Sequence, residues 1–167
     1  DKRNEEGMPI FFIARSFDIN RPGTPLKGLH GGVLGGALKQ GKIKIGDEIE
    51  IKPGYSFKKQ NQYVYKTVTS KIVSMQRGDN ILTEAGAGGS LALETELDPI
   101  VTKADSLSGC ILSKKGQLPE ITYDLKIKFT LFDKVLGTEK HEPVAPLRVS
   151  EMLMLSVNTT TTVGTVK

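Results

Sequence analysis

The chain has 167 residues, 23 Lys and Arg against 19 Asp and Glu, one cysteine and no tryptophan. That length suits one ordinary domain or two small ones and needs no cross-links to fold; a single cysteine excludes an internal disulfide and fits a reducing compartment. A net charge of +4 is compatible with RNA without requiring it, no apolar run approaches the ~20 residues that cross a bilayer, and the start DKRNEEGMPIFF does not have the pattern of a signal peptide.

Eighteen glycines and short β-branched segments between turn residues point to an all-β fold. Met8 to Ile19 predicts a strand, and Asn20 to Pro25 a loop centred on Pro-Gly. The stretch GGVLGGALK, from Gly31, predicts a strand thinned by glycines, which marks a bend or a close approach by another backbone or a ligand. From Lys42 to Lys52 the pattern has period two: Ile43, Ile45, Ile49 and Ile51 are apolar, while Lys42, Lys44, Glu48, Glu50 and Lys52 are charged. One face should lie in the core and the other in water. Gly46-Asp47 interrupts as a turn, and Pro53-Gly54 is expected to end the segment.

The stretch GALKQGKI, Gly36 to Ile43, matches seven of the eight positions of the phosphate-binding loop G-x-x-x-x-G-K-[ST]. Ile43 stands where a hydroxyl must hold Mg²⁺. Such a loop also works by opening a helix whose N-terminus faces the phosphates, whereas here the lysine opens a strand. Gln40-Gly41 is read instead as a hairpin turn, and no nucleotide site is expected.

Lys58 to Asn61 reads as a solvated loop tip, and Tyr63 to Met75 as a long strand or strand pair. RGDN turns the chain; its integrin-like tripeptide is read as chance. ILTEAGAGGSLALET predicts two short strands around a glycine loop, Gly86 to Gly89. The passage from Leu97 to Glu120 has little periodicity, and Lys114 to Pro119 resembles a linker. Ile121, Tyr123, Leu125, Ile127, Phe129 and Leu131 then alternate with polar residues and predict the cleanest strand of all. A proline-containing loop and one or two further strands close the chain. The prediction is therefore a closed β-barrel from about Met8 to Lys114, then a second, incomplete β-barrel with three or so strands and unpaired edges.

Catalytic constellations are not evident. His30 and His141 fall in different units, and one cysteine cannot build a Cys-based zinc site. His30-Gly31-Gly32 faintly resembles a lipase oxyanion loop, but no G-x-S-x-G elbow accompanies it. A triad assembled in space stays open. His30 is read as a loop residue at a strand entrance, His141 as a solvated loop residue, and Cys110 as a small buried apolar side chain. No catalytic residue and no metal site is expected.

The stretches RSFDINRPGTPLKGLHGGVLGGALKQGKIKIGDEIEIKPG, GGSLALETELDPIVTKADSLSGCILSKKGQLPEI and VSEMLMLSVNTTTTVG resemble the gamma subunit of archaeal and eukaryotic translation initiation factor two, within the elongation factor Tu superfamily. The resemblance runs from Met8 onward. It implies residues 1–7 as a linker from a missing GTPase domain, 8–114 as a domain-two type β-barrel, 115–119 as a linker and 120–167 as a partial third domain. It implies no cofactor in this chain, with GTP and Mg²⁺ belonging to the missing domain. The implied partners are methionyl initiator tRNA, the alpha subunit on this barrel, the beta subunit through the missing domain, and the small ribosomal subunit. The implied setting is the cytoplasm, with no membrane. The residues implied to face the tRNA 3′ end are Gly31, Gly32, Val33, Ser74, Arg77 and Thr95; elongation factors carry a carboxylate where Ser74 aligns. Lys58, Lys59, Lys114 and Lys115 are implied RNA-backbone contacts. The alternatives are another elongation-factor-like barrel pair, or a protein–protein scaffold barrel without RNA binding.

Overall fold

A computed structural model describes residues 4–60, 62–135, 137 and 143–167. They form two compact units, Asp1–Ile121 with Asn158–Thr160, and Thr122–Val157 with Thr161–Lys167.

The strands of the first unit are β1 (Ile10–Phe17), β2 (Val33–Gln40), β3 (Lys42–Lys44), β4 (Glu48–Lys59), β5 (Gln62–Arg77), β6 (Asn80–Leu82), β7 (Glu84–Gly86), β8 (Ser90–Thr95) and β9 (Ile111–Lys114). Six of them close a barrel in the order β4-β9-β1-β2-β8-β5, with β5 returning to β4. β6 continues from the β5 edge, and β3 pairs with β7. Alternation sends Phe11 and Ile13 of β1, Leu34 and Leu38 of β2, Ile49 and Ile51 of β4, Leu91 and Leu93 of β8, and Leu112 of β9 inward. Each such side chain contributes roughly 1.5–3 kcal/mol by leaving water. α1 (Pro99–Thr102) is a single turn, capped by Asp98, whose carboxylate accepts from the Ile100 N–H.

The structure corrects three local expectations. Pro53-Gly54 does not end its strand. The β4–β5 register shifts between Ile51 and Tyr55, and β4 runs on to Lys59. Gly54 makes the shift possible: its φ is +89°, and a Cβ there would lie 2.2 Å from the Lys66 carbonyl oxygen. Gln40-Gly41 is a turn but not a hairpin, because β2 pairs with β1 and β8 while β3 pairs with β7. The Gly41 N–H donates to the Asn4 carbonyl instead. The passage read as aperiodic contains β9, which joins β1 to β4 and completes the barrel.

In the second unit β10 (Met152–Val157) and β11 (Thr160–Thr165) form a hairpin, and an isolated bridge joins Lys134 to Pro143. Residues 121–131, expected to form the cleanest strand, join no ladder among the described residues. Tyr123, Leu125, Ile127 and Phe129 are exposed there. Alternation reports one apolar face, but a strand also needs a neighbouring edge. His141 lies outside the described residues.

Candidate functional site

The loop after β1 is tied at both ends by one side chain. Asn20 accepts from the His30 N–H at 2.7 Å and donates to the His30 carbonyl at 2.8 Å. Asp18 orients Asn20 by accepting from its backbone and side-chain N–H groups, and these bonds hold the Asp18 carboxyl below its ordinary value. His30 is thereby fixed at the entrance to β2.

From there a row of paired residues, polar at one end and apolar at the other, crosses the outer wall of the barrel. The register sets Ser74 of β5 opposite Glu94 of β8, Glu94 opposite Val33 of β2, and Val33 opposite Phe17 of β1. Ser74 Oγ donates to Glu94 Oε2 at 2.8 Å, and His30 Nδ1 lies 2.8 Å from Glu94 Oε1. A carboxylate only accepts, so this nitrogen carries the hydrogen. Burial works to raise the Glu94 pKa, but the bonds from His30 and Ser74 outweigh it and hold the carboxyl below its usual range. The Glu94 side chain is still 20% exposed, and Phe17 is 37% exposed.

This order of groups is not a nucleophilic triad. Serine and histidine both bind the carboxylate and are not hydrogen-bonded to each other. A depressed carboxyl pKa makes a poor base for the serine proton.

The structure brings together Gly31, Gly32, Val33 and Thr95, with Ser74 one strand away. Gly31 and Gly32 do not form an open wall. A Cβ on Gly31 would lie 1.7 Å from the Thr95 carbonyl oxygen, and one on Gly32 would lie 2.4 Å from Thr102. The Gly32 carbonyl accepts from Thr95 N and Oγ1, and the Gly32 N–H donates to Leu97. Thr95 and Thr102 are fully buried. The space that the glycines leave is thus filled by the protein's own chain, and Thr95 faces inward. Arg77 lies apart from this row. It shares the parity of buried Met75, and its Nη2 donates to the Gly86 carbonyl at 3.0 Å.

The four lysines do not form one patch. Lys114 lies 3.3 Å from Asp47 and Lys115 3.5 Å from Glu48. Lys114 pairs with Ile49 near the start of β4, whereas Lys58 and Lys59 are at its far end, up to roughly 30 Å along the strand.

Gly36 to Gln40 belong to β2, and Lys42 opens β3 and binds Glu5 at 2.8 Å. The stretch is therefore strand, turn, strand. Among the described residues no group of three or more His, Cys, Asp or Glu could hold a metal, and no helix is long and apolar enough to cross a membrane. The sequence reading missed Glu94, Asp18 and Asn20. A glutamate at a solvent-parity position of SLALET was visible, but its placement against Ser74 depends on register.

The family model "Initiation factor eIF2 gamma, C terminal" matches residues 123–167. The chain is 46% identical over 165 residues to translation initiation factor 2 subunit gamma of Methanocaldococcus jannaschii, a match spanning 99% of this chain and 40% of that protein. It is 44% identical to the protein of the same name from Thermoplasma acidophilum and 43% identical to that from Pyrococcus furiosus, with the same coverage. The chain thus spans about two fifths of the length of the curated relatives it matches. Identity at this level along almost every residue, on a closed all-β barrel, means that the chain belongs to the gamma-subunit family of translation initiation factor 2.

Proposed function

We propose that this chain supplies the tRNA-facing and partner-docking part of a gamma subunit that, when whole, binds methionyl initiator tRNA and brings it to the small ribosomal subunit in the cytoplasm. The observation that carries the reading is the outer row Ser74–Glu94–Val33–Phe17. It offers a partly exposed carboxylate acceptor, held by His30, and an exposed ring two strands away. A terminal adenosine needs such a pair: an acceptor for its amine or ribose hydroxyls, and a ring on which to stack. In this reading Ser74 orients the carboxylate and Val33, which is buried, spaces it from Phe17. Gly31, Gly32 and Thr95 support it from beneath, because their free space and hydrogen bonds are already used.

The alpha subunit docks on the first barrel, and the beta subunit, GTP and Mg²⁺ belong to a domain outside this chain. Filter binding of methionylated and uncharged initiator tRNA to the chain tests the proposal. Phe17→Ala and Glu94→Gln should each weaken the methionylated complex several-fold, with affinity falling steeply as salt rises. Unchanged binding by both variants would leave the scaffold-barrel reading in its place.

A further inference from the structure

The hairpin of β4 and β5 extends past the barrel. β9 accompanies β4 only from Ile49 to Lys52, and β8 accompanies β5 only from Ile72 to Gln76. Among the described residues, the ribbon from Tyr55 to Lys66 pairs only with itself. Its sequence, YSFKKQNQYVYK, has three lysines and no carboxylate, and it holds three of the chain's four tyrosines. These rings are not core: Tyr63 is 64% exposed, Tyr55 and Phe57 are 42% exposed, and Tyr65 is 36% exposed.

Register sorts them onto two faces. Lys58 lies opposite Tyr63 and Ser56 opposite Tyr65, so one face carries two tyrosines beside a lysine. Tyr55 and Phe57 share the other face with Lys59 and Lys66. Tyrosines two residues apart stand roughly 7 Å apart along a strand, so successive unstacked bases can each lie on a ring. Lys58, opposite Tyr63, attracts phosphate beside them, and no acid in the ribbon opposes that attraction. Rings interleaved with cations form the recognition pattern of single-stranded nucleic acid. A protein partner would favour one continuous apolar patch, which the Tyr63 face does not offer, because Ser56 and Lys58 stand opposite its two rings.

We propose that the ribbon Tyr55–Lys66 is a separate RNA-contacting surface, which holds an unpaired RNA strand by stacking on Tyr63 and Tyr65, with Lys58 of the same face at its phosphates. This extends the RNA-binding reading to a part of the barrel remote from the Glu94 row. The chain has no tryptophan, so its emission is tyrosine emission, and most of its tyrosines are on the ribbon. The test is a fluorescence titration of the 167-residue chain with an unstructured RNA of roughly twelve nucleotides.

Binding should quench the emission. Tyr63→Ala and Tyr65→Ala should each weaken binding by about 5- to 100-fold. Lys58→Gln should flatten the slope of log affinity against log salt by about 0.7. These side chains are outside the core, so the variants should melt like the parent. Ile81→Ala, an exposed residue of neither surface, should leave oligonucleotide binding intact, and the tyrosine variants should leave the preference for methionylated over uncharged tRNA intact, so failure of the 3′-end reading and failure of the ribbon register separately. Emission unchanged at saturating RNA, or tyrosine variants that bind like the parent, overturns the proposal. Tighter binding of an acidic peptide than of RNA at the ribbon overturns it as well, and assigns the surface to a protein.

Discussion

Gly31→Ala is the sharpest test of what the glycine pair does. The new methyl group would lie 1.7 Å from the Thr95 carbonyl oxygen, and real Cβ contacts essentially never fall below 3.0 Å. The obstacle is backbone, so no side-chain rotation relieves it. β8 must retreat from β2, and that strains the bonds between Gly32 and Thr95 at 3.0 and 2.7 Å. Overpacking costs about 1–3 kcal/mol, and each weakened hydrogen bond adds about 0.5–1.5 kcal/mol. The total, about 2–6 kcal/mol, is a large share of the ~5–15 kcal/mol that holds a domain folded. At about 2–4 °C per kcal/mol for a chain of this size, Tm should fall by on the order of 10 °C. Gly35→Ala is the matched control. It is two residues away from Val33 in the same strand, its nearest neighbour would be the Arg15 Cβ at 3.6 Å, and its effect should be within about 1 kcal/mol of neutral. Thermal melts of the two variants and the parent decide the matter. A Gly31→Ala protein that melts like the parent but loses tRNA binding would refute the packing argument and make the glycine a ligand wall.

Glu94→Gln should change how stability depends on pH. Because the folded-state pKa of Glu94 is depressed, its contribution is present above the unfolded-state value and is lost as pH falls through the folded-state value. Urea unfolding should therefore find the parent more stable than the variant at pH 7, with the gap narrowing as pH falls below the ordinary carboxylate range; a gap that widens in acid contradicts the sign. Ile43→Ser completes the phosphate-loop motif but should bind no GTP in calorimetry with Mg²⁺, because β3 rather than a helix follows. A chain ending at Gly109 removes β9 and should lose cooperative unfolding by circular dichroism, while one ending at Ile121 should keep it and should capture the alpha subunit as well as the full chain does in a pull-down.

Strands with one wet face were legible in the sequence, and strands without one were not. β3 and β8 alternate, while β1 was legible as an apolar run whose period a register shift between Ile13 and Arg15 breaks. β9 was unreadable because Leu112 and Ser113 are both buried, the second beneath Gln117, so no period survives in ILSK. Pro53-Gly54 carries strong local stop signals, but the pairing of β4 with β5 continues on both sides of them and absorbs the irregularity as a bulge. For residues 121–131 the reverse holds: the local pattern is clear, and the partner edge that would make it a ladder is not among the described residues.

The candidate site divides along the same line. Adjacent glycines announce a close approach but do not say by what; the answer, Thr95 and Thr102, is more than sixty residues further along the chain. Glu94 was invisible as a site residue because only the register through the irregularity between Ile72 and Ser74 sets it against the serine. Yet the two halves belong together. Gly32 and Val33 are neighbours on one side, and Thr95 and Glu94 are neighbours on the other. Strand alternation points Thr95 inward and Glu94 outward. The inward bonds from Thr95 to the Gly32 carbonyl therefore set the spacing at which Glu94 faces Val33 on the outer wall. A methyl group on Gly31 would press on the Thr95 backbone and so move the neighbouring carboxylate as well as the core, so the motif that reads as packing inside the barrel is also what positions the row outside it.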